Sequence, residues 1–158
     1  MTKLNLSTAI DIDATPQQVW NLLSDLRRMP EWSPQCRWMR PLGALRTGGL
    51  TVNLNRRGRK YWPTVSRIER VESGRALAFR TLSNSSVWTF EISPIPGGTR
   101  VVERRDVPPQ GTKWISKVIV EHALGGEDPF DAEMLDGMNA TLTRVKAAAE
   151  TSIGAVHR

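Results

Sequence analysis

Between Cys36 and Val107, turn-forming residues recur so often that no crossover helix fits between the apolar runs they separate. Gly48-Gly49, Gly58, Ser73-Gly74, Asn84-Ser85 and the stretch from Pro94 to Gly98 divide segments rich in Val, Ile, Thr, Trp and Phe. Parallel neighbours need long connections, so the six strands predicted near 36–41, 50–56, 60–71, 76–82, 86–93 and 99–107 must meander antiparallel.

The ends of the chain supply one more strand and the helices. Leu4, Leu6, Thr8, Ile10 and Ile12 share one parity and Lys3, Asn5, Ser7, Asp11 and Asp13 the other, which predicts a half-buried strand over 3–12. Thr15-Pro16-Gln17-Gln18 then offers an N-cap threonine, a proline at the first helical position and a glutamine three residues after the cap. A helix begins there and should end near Leu26 or Arg28, because Pro30 and Pro34 bar a long continuation. After Pro108-Pro109-Gln110-Gly111, a short helical stretch is predicted over 113–124. Gly125-Gly126 separates it from a last helix that starts at Asp128-Pro129 and runs to about Ile153, with 154–158 as a frayed tail.

At 158 residues the chain is one domain, 1–153, able to bury roughly 70% of its unfolded surface. No run reaches the ~20 apolar residues of a membrane span, and the N-terminus lacks a signal peptide's apolar core, so a cytoplasmic protein is expected. A single cysteine, Cys36, leaves no disulfide framework and no cysteine zinc cluster. His122 and His157 stand alone, so neither a metal nor another cofactor is expected.

The net charge of +6 is uneven: residues 36–107 hold 14 basic and 5 acidic groups, an excess of +9, while the two ends are each slightly acidic. A compact basic patch would suit nucleic acid. These arginines mostly alternate with apolar residues, as on the outer face of a sheet, and Arg56-Arg57-Gly58-Arg59-Lys60 has the form of a hairpin tip. A nucleic-acid-binding module is therefore the least favoured of three functional classes.

The order of elements has one economical packing, an α+β helix-grip in which a curved seven-stranded antiparallel sheet wraps around the long C-terminal helix. At about 100° per residue, Phe130, Met134, Gly137, Met138, Thr141, Leu142, Val145, Ala148 and Ala149 fall on one face of that helix. Several are too small to fill the concavity, and the two methionines adapt to irregular volumes, so a cavity is expected beside the first half of the helix. Gly137 costs about 1 kcal/mol relative to alanine inside a helix, which points to close approach of either a ligand or the sheet.

Asp13-Ala14-Thr15-Pro16-Gln17-Gln18-Val19-Trp20-Asn21-Leu22-Leu23-Ser24-Asp25, the following Met29-Pro30-Glu31-Trp32-Ser33-Pro34, and Gly137-Met138-Asn139-Ala140-Thr141-Leu142 give the chain its family likeness. With this order of elements it resembles the polyketide cyclase/dehydrase-type branch of the START-like (SRPBCC) superfamily over nearly its whole length. The resemblance implies an internal pocket for hydrophobic small molecules or lipids, and only some members of that superfamily are enzymes. No catalytic motif carries over.

Strand parity nominates the lining. Trp38, Leu54, Trp62, Thr64, Ser66, Leu77, Phe79, Trp88, Phe90, Val101 and Glu103 face inward if the hairpin at Gly58 has a three-residue loop; a two-residue turn inverts part of this, with Tyr61, Pro63 and Val65 in place of Trp62, Thr64 and Ser66. Trp32, Phe130, Met134, Gly137 and Met138 complete the candidate ligand-binding set. Six Trp beside three Phe and one Tyr suggest a polar-edged apolar pocket. Glu103, with Arg105 two residues on, is the candidate polar anchor or proton-transfer group. Two readings lead: a carrier of a hydrophobic or aromatic small molecule, monomeric or homodimeric, and an aromatase/cyclase acting on a poly-β-keto chain. No catalytic residue is assigned.

Overall fold

A computed structural model describes residues 5–107 and 127–156, with side chains described over 5–107 and 132–151. The helical stretch expected over 113–124 lies outside the described residues. Strand β1, Asn5–Ile12, is followed by helix α1, Pro16–Leu23, a 3₁₀ turn at Leu26–Arg28 and the single helical turn α2, Met29–Trp32. Then come β2 (Cys36–Pro41), β3 (Leu50–Arg57), β4 (Lys60–Glu72), β5 (Ala76–Thr81), β6 (Val87–Ile95) and β7 (Gly98–Asp106), and finally helix α3, Glu127–Val156. The seven strands form one antiparallel sheet in the order β1-β7-β6-β5-β4-β3-β2. This is the helix-grip expected from the element order.

The start of α1 follows its local chemistry. The Gln18 amide donates to Thr15 Oγ1 at 3.2 Å and the Thr15 amide donates to Gln18 Oε1 at 2.9 Å, closing a reciprocal capping box. The helix stops earlier than expected, at Leu23. Pro30 does not end a helix but sits in the first turn of α2, where its missing N–H has no partner to lose.

Core and cavity divide the space between sheet and α3. Leu142, Val145 and Ala149 from the second half of α3 meet Ile12, Val19, Leu23, Leu26, Ile68, Leu77, Ile92 and Val101 in one buried cluster. Side chains of this size contribute about 1.5–3 kcal/mol each when fully buried. The first half of α3 instead presents Met134 and Thr141 to a cavity, and Gly137 and Met138 to a small recess beside it.

Candidate functional site

A cavity of about 390 Å³ opens between the sheet and the first half of α3. Trp62 and Phe79 line it from β4 and β5, Trp88 and Phe90 from β6, Glu103 and Arg105 from β7, and Met134 and Thr141 from α3. Gly137 and Met138 border a small recess beside it, together with Glu103 and Trp88. Phe130 lies on α3, and its side chain is outside the described residues.

The hairpin at Gly58 settles the register. Arg57 pairs with Lys60, so the loop has two residues, and Gly58 takes φ +62° at its first position, the arrangement of a type II′ turn. Opposed residues share a side of the sheet. Leu54 opposes Pro63 and Asn53 opposes Thr64, so Leu54 and Thr64 cannot both face the cavity. The inversion falls on β3 rather than β4: Trp62, Thr64 and Ser66 face inward, and Leu54 faces out. Trp38 opposes Leu54 and faces out with it, while a register shift between Cys36 and Trp38 turns Cys36 and Met39 inward. Trp32 is buried within the core cluster rather than on the cavity wall. Trp38, Leu54 and Trp32 are thus corrected as lining residues.

The same register exposes what strand parity missed. Thr51, Asn53, Asn55 and Arg57 point inward along β3, opposite to the apolar set Leu50, Val52 and Leu54. Asn53 Nδ2 donates to Thr64 Oγ1 at 3.1 Å and to Ser66 Oγ at 2.9 Å; Asn55 Nδ2 donates to Thr64 Oγ1 at 3.0 Å; Thr51 Oγ1 donates to Asn53 Oδ1 at 2.9 Å. Thr64 Oγ1 accepts two N–H groups, which uses both its lone pairs and leaves its own O–H to donate elsewhere. Ser66 likewise accepts one and retains its proton. The signal lay in the polar alternation of β3, readable once Arg57 is paired with Lys60.

On the opposite wall, Glu103 stands between Thr8 of β1 and Phe90 of β6. It is 3% exposed and its Oε2 has no hydrogen-bond partner among the described residues. Burial pushes its carboxyl up to about 8, so the neutral acid predominates at pH 7 and can donate a hydrogen bond. The Arg105 guanidinium lies 5.8 Å from the centroid of the Trp88 ring. Cys36, also on the wall, is pushed up to about 11 by burial, which keeps it a thiol rather than a nucleophilic thiolate.

A sequence profile of the family described as polyketide cyclase/dehydrase and lipid transport matches residues 3–150. No curated protein matches the chain significantly. Among solved structures, the polyketide-cyclase-like protein Cgl2372 from Corynebacterium glutamicum superposes with a TM-score of 0.69 at 22% identity, over 97% of this chain and 96% of that one. Protein NE0264 from Nitrosomonas europaea gives 0.68 at 16% identity, over 96% and 97%. The di-domain aromatase/cyclase StfQ of the steffimycin biosynthetic pathway gives 0.72 at 12% identity, over 96% of this chain and 52% of that one. At these identities the likenesses establish the fold. Among the described residues, no helix is long and apolar enough to cross a membrane.

Proposed function

The chain belongs to the polyketide cyclase/dehydrase and lipid transport family, and from that premise we propose that it binds a hydrophobic or aromatic small molecule between the sheet and α3. The observation that carries this reading is the orientation of β3. A sheet packed only for stability would turn Val52 and Leu54 toward the helix, yet Thr51, Asn53 and Asn55 are turned there instead. The strip's amides and hydroxyls bond largely to one another, and the Thr64 and Ser66 hydroxyls that accept from it keep protons to donate to a ligand in the cavity. The volume of about 390 Å³ falls within the ~300–1,000 Å³ of small-molecule sites. Trp62, Phe79, Trp88 and Phe90 supply apolar walls, while Thr64, Ser66 and neutral Glu103 offer O–H donors on opposite sides. The ligand class is an apolar or aromatic skeleton bearing oxygen acceptors.

Titration with the neutral fluorophore N-phenyl-1-naphthylamine tests this. Saturable one-to-one quenching of tryptophan emission supports it, and a folded protein that shows no saturable quenching overturns it.

Glu103 favours a second reading, an aromatase/cyclase in which the pocket folds a poly-β-keto chain. A buried carboxyl poised near neutrality can protonate a carbonyl oxygen and take back a proton during aldol closure and dehydration. Its test is conversion of a model poly-keto thioester followed by mass spectrometry. Turnover that falls roughly 10²- to 10⁴-fold in Glu103→Gln supports it. Turnover at an unchanged rate in that variant removes Glu103 from the reaction, and the absence of turnover leaves the carrier reading.

A further inference from the structure

Strands β2, β3 and β4 have a second face, and it is not an ordinary solvated one. The pairings Trp38↔Leu54↔Pro63 and Arg40↔Val52↔Val65 set apolar side chains in rows, with Arg40 at the end of the second, on the side away from α3. Trp38 is 37% exposed and Val65 39%; Leu82, whose amide donates to the Val65 carbonyl, is 46% exposed. Toward the hairpin tip the row continues into Tyr61, at 56%. Guanidinium groups cap both rings: Arg40 lies 4.9 Å from the Trp38 ring centroid and Arg56 5.5 Å from that of Tyr61.

The charge around this patch is predominantly positive, the nearby carboxylate of Glu69 being held by Arg80 opposite Arg67. Between Glu31 and Glu69 the sequence holds eight basic residues and no carboxylate. Among the described residues no acidic side chain pairs with Arg40, Arg56 or Arg67. A second copy of the chain docked here would set cation against cation. Nucleic acid would satisfy the arginines but leave the indole and the aliphatic side chains without a partner. A lipid–water boundary meets both needs, since aromatic rings sit at headgroup depth, aliphatic groups enter the acyl boundary, and guanidinium groups reach the phosphates.

We propose that the outer face of β2–β4 docks on an anionic phospholipid surface. Its edge at the hairpin tip is shared with the cavity, because Arg57 and Lys60 also line the opening. Docking would bring that opening next to the lipid, although the inference stands whatever the cavity holds.

The test is sedimentation of the full chain with phosphatidylcholine vesicles, with and without phosphatidylglycerol. The expected result is binding to the anionic vesicles alone, weakening as salt is raised. The triple variant Arg40→Gln/Arg56→Gln/Arg67→Gln should lower the partition coefficient about a hundredfold, at about fivefold per cation. Val65→Ser, a single exposed change, should weaken binding several-fold while leaving thermal unfolding unchanged; it carries the test if the triple variant fails to fold. Sedimentation with neither vesicle, equal sedimentation with both, or undiminished binding by both variants would overturn the proposal. Capture by soluble poly-glutamate without vesicle binding would also overturn it and assign the face to an acidic protein.

Discussion

Arg57 and Glu133 meet in a two-point ion pair that ties the end of β3 to the first turns of α3 beside the cavity opening, with Arg57 Nε donating to Glu133 Oε1 at 2.9 Å. Both side chains are partly exposed, so the pair contributes no more than about 1 kcal/mol to stability. Its position matters more than its strength. Glu133→Gln should leave the unfolding midpoint nearly unchanged and accelerate both association and dissociation of N-phenyl-1-naphthylamine in stopped flow. Unaltered exchange rates would show that ligands pass elsewhere.

Glu103 sets a pH dependence of the opposite sign to that of an ordinary acidic side chain. Its carboxyl ionises near 4.5 when unfolded and near 8 when folded, because burial disfavours the carboxylate. Stability from this group is complete below about pH 4.5 and is lost as pH rises toward 8, since only the unfolded chain releases the proton in that window. The slope is about 1.4 kcal/mol per pH unit. Asp11, Glu31 and Glu72 are held below their usual range by hydrogen bonds from arginines, and they titrate beneath this window. Urea unfolding from pH 5 to 8 should therefore show falling stability in the wild type and a flatter profile in Glu103→Gln. Parallel profiles would place Glu103 in a more solvated setting.

Much of the fold was legible because its signals are local. The capping box at Thr15 and Gln18, the punctuation from Gly48 to Gly98 and the proline-marked start of the last helix each act within a few residues. The cavity wall was only half legible. Trp62, Thr64, Ser66, Phe79, Trp88, Phe90, Glu103 and Met134 lie on it, but Leu54 and Trp38 do not, because one loop residue at Gly58 decides which parity of β3 faces α3. Hydrophobic patterning misleads there: Leu50, Val52 and Leu54 are the apolar set, and they face outward. The register shift at Cys36 is equally silent in the sequence, since nothing in Cys36-Arg37-Trp38 marks a bulge.

The five tryptophans among the described residues separate by position, which makes them usable as reporters. Trp62 and Trp88 line the cavity, Trp20 and Trp32 are buried in the core, and Trp38 lies on the outer face. Trp88→Phe keeps an apolar ring and should remove a large part of the quenching caused by a bound fluorophore. Trp38→Phe should leave quenching intact. Loss of quenching in Trp38→Phe with quenching retained in Trp88→Phe would mean that the fluorophore binds the outer patch rather than the cavity.

Gly137 yields a stability prediction that its helical position alone would not. Among the described residues, a β-carbon there would meet only the Pro34 side chain, at 3.8 Å, which is ordinary van der Waals contact. The sheet does not approach the helix backbone at this point, so close packing does not account for the glycine. Alanine fits the space and has the higher helix propensity, by about 1 kcal/mol; Gly137→Ala should therefore raise the unfolding free energy by up to that amount. Leucine at the same position reaches into the recess bordered by Trp88, Glu103 and Met134, and Gly137→Leu should reduce fluorophore affinity at least tenfold. The two substitutions are read together, by chemical unfolding and by titration. Destabilisation by alanine would require an approach to the helix tighter than 3.8 Å. Unchanged affinity in a folded leucine variant would place the ligand away from this turn of α3.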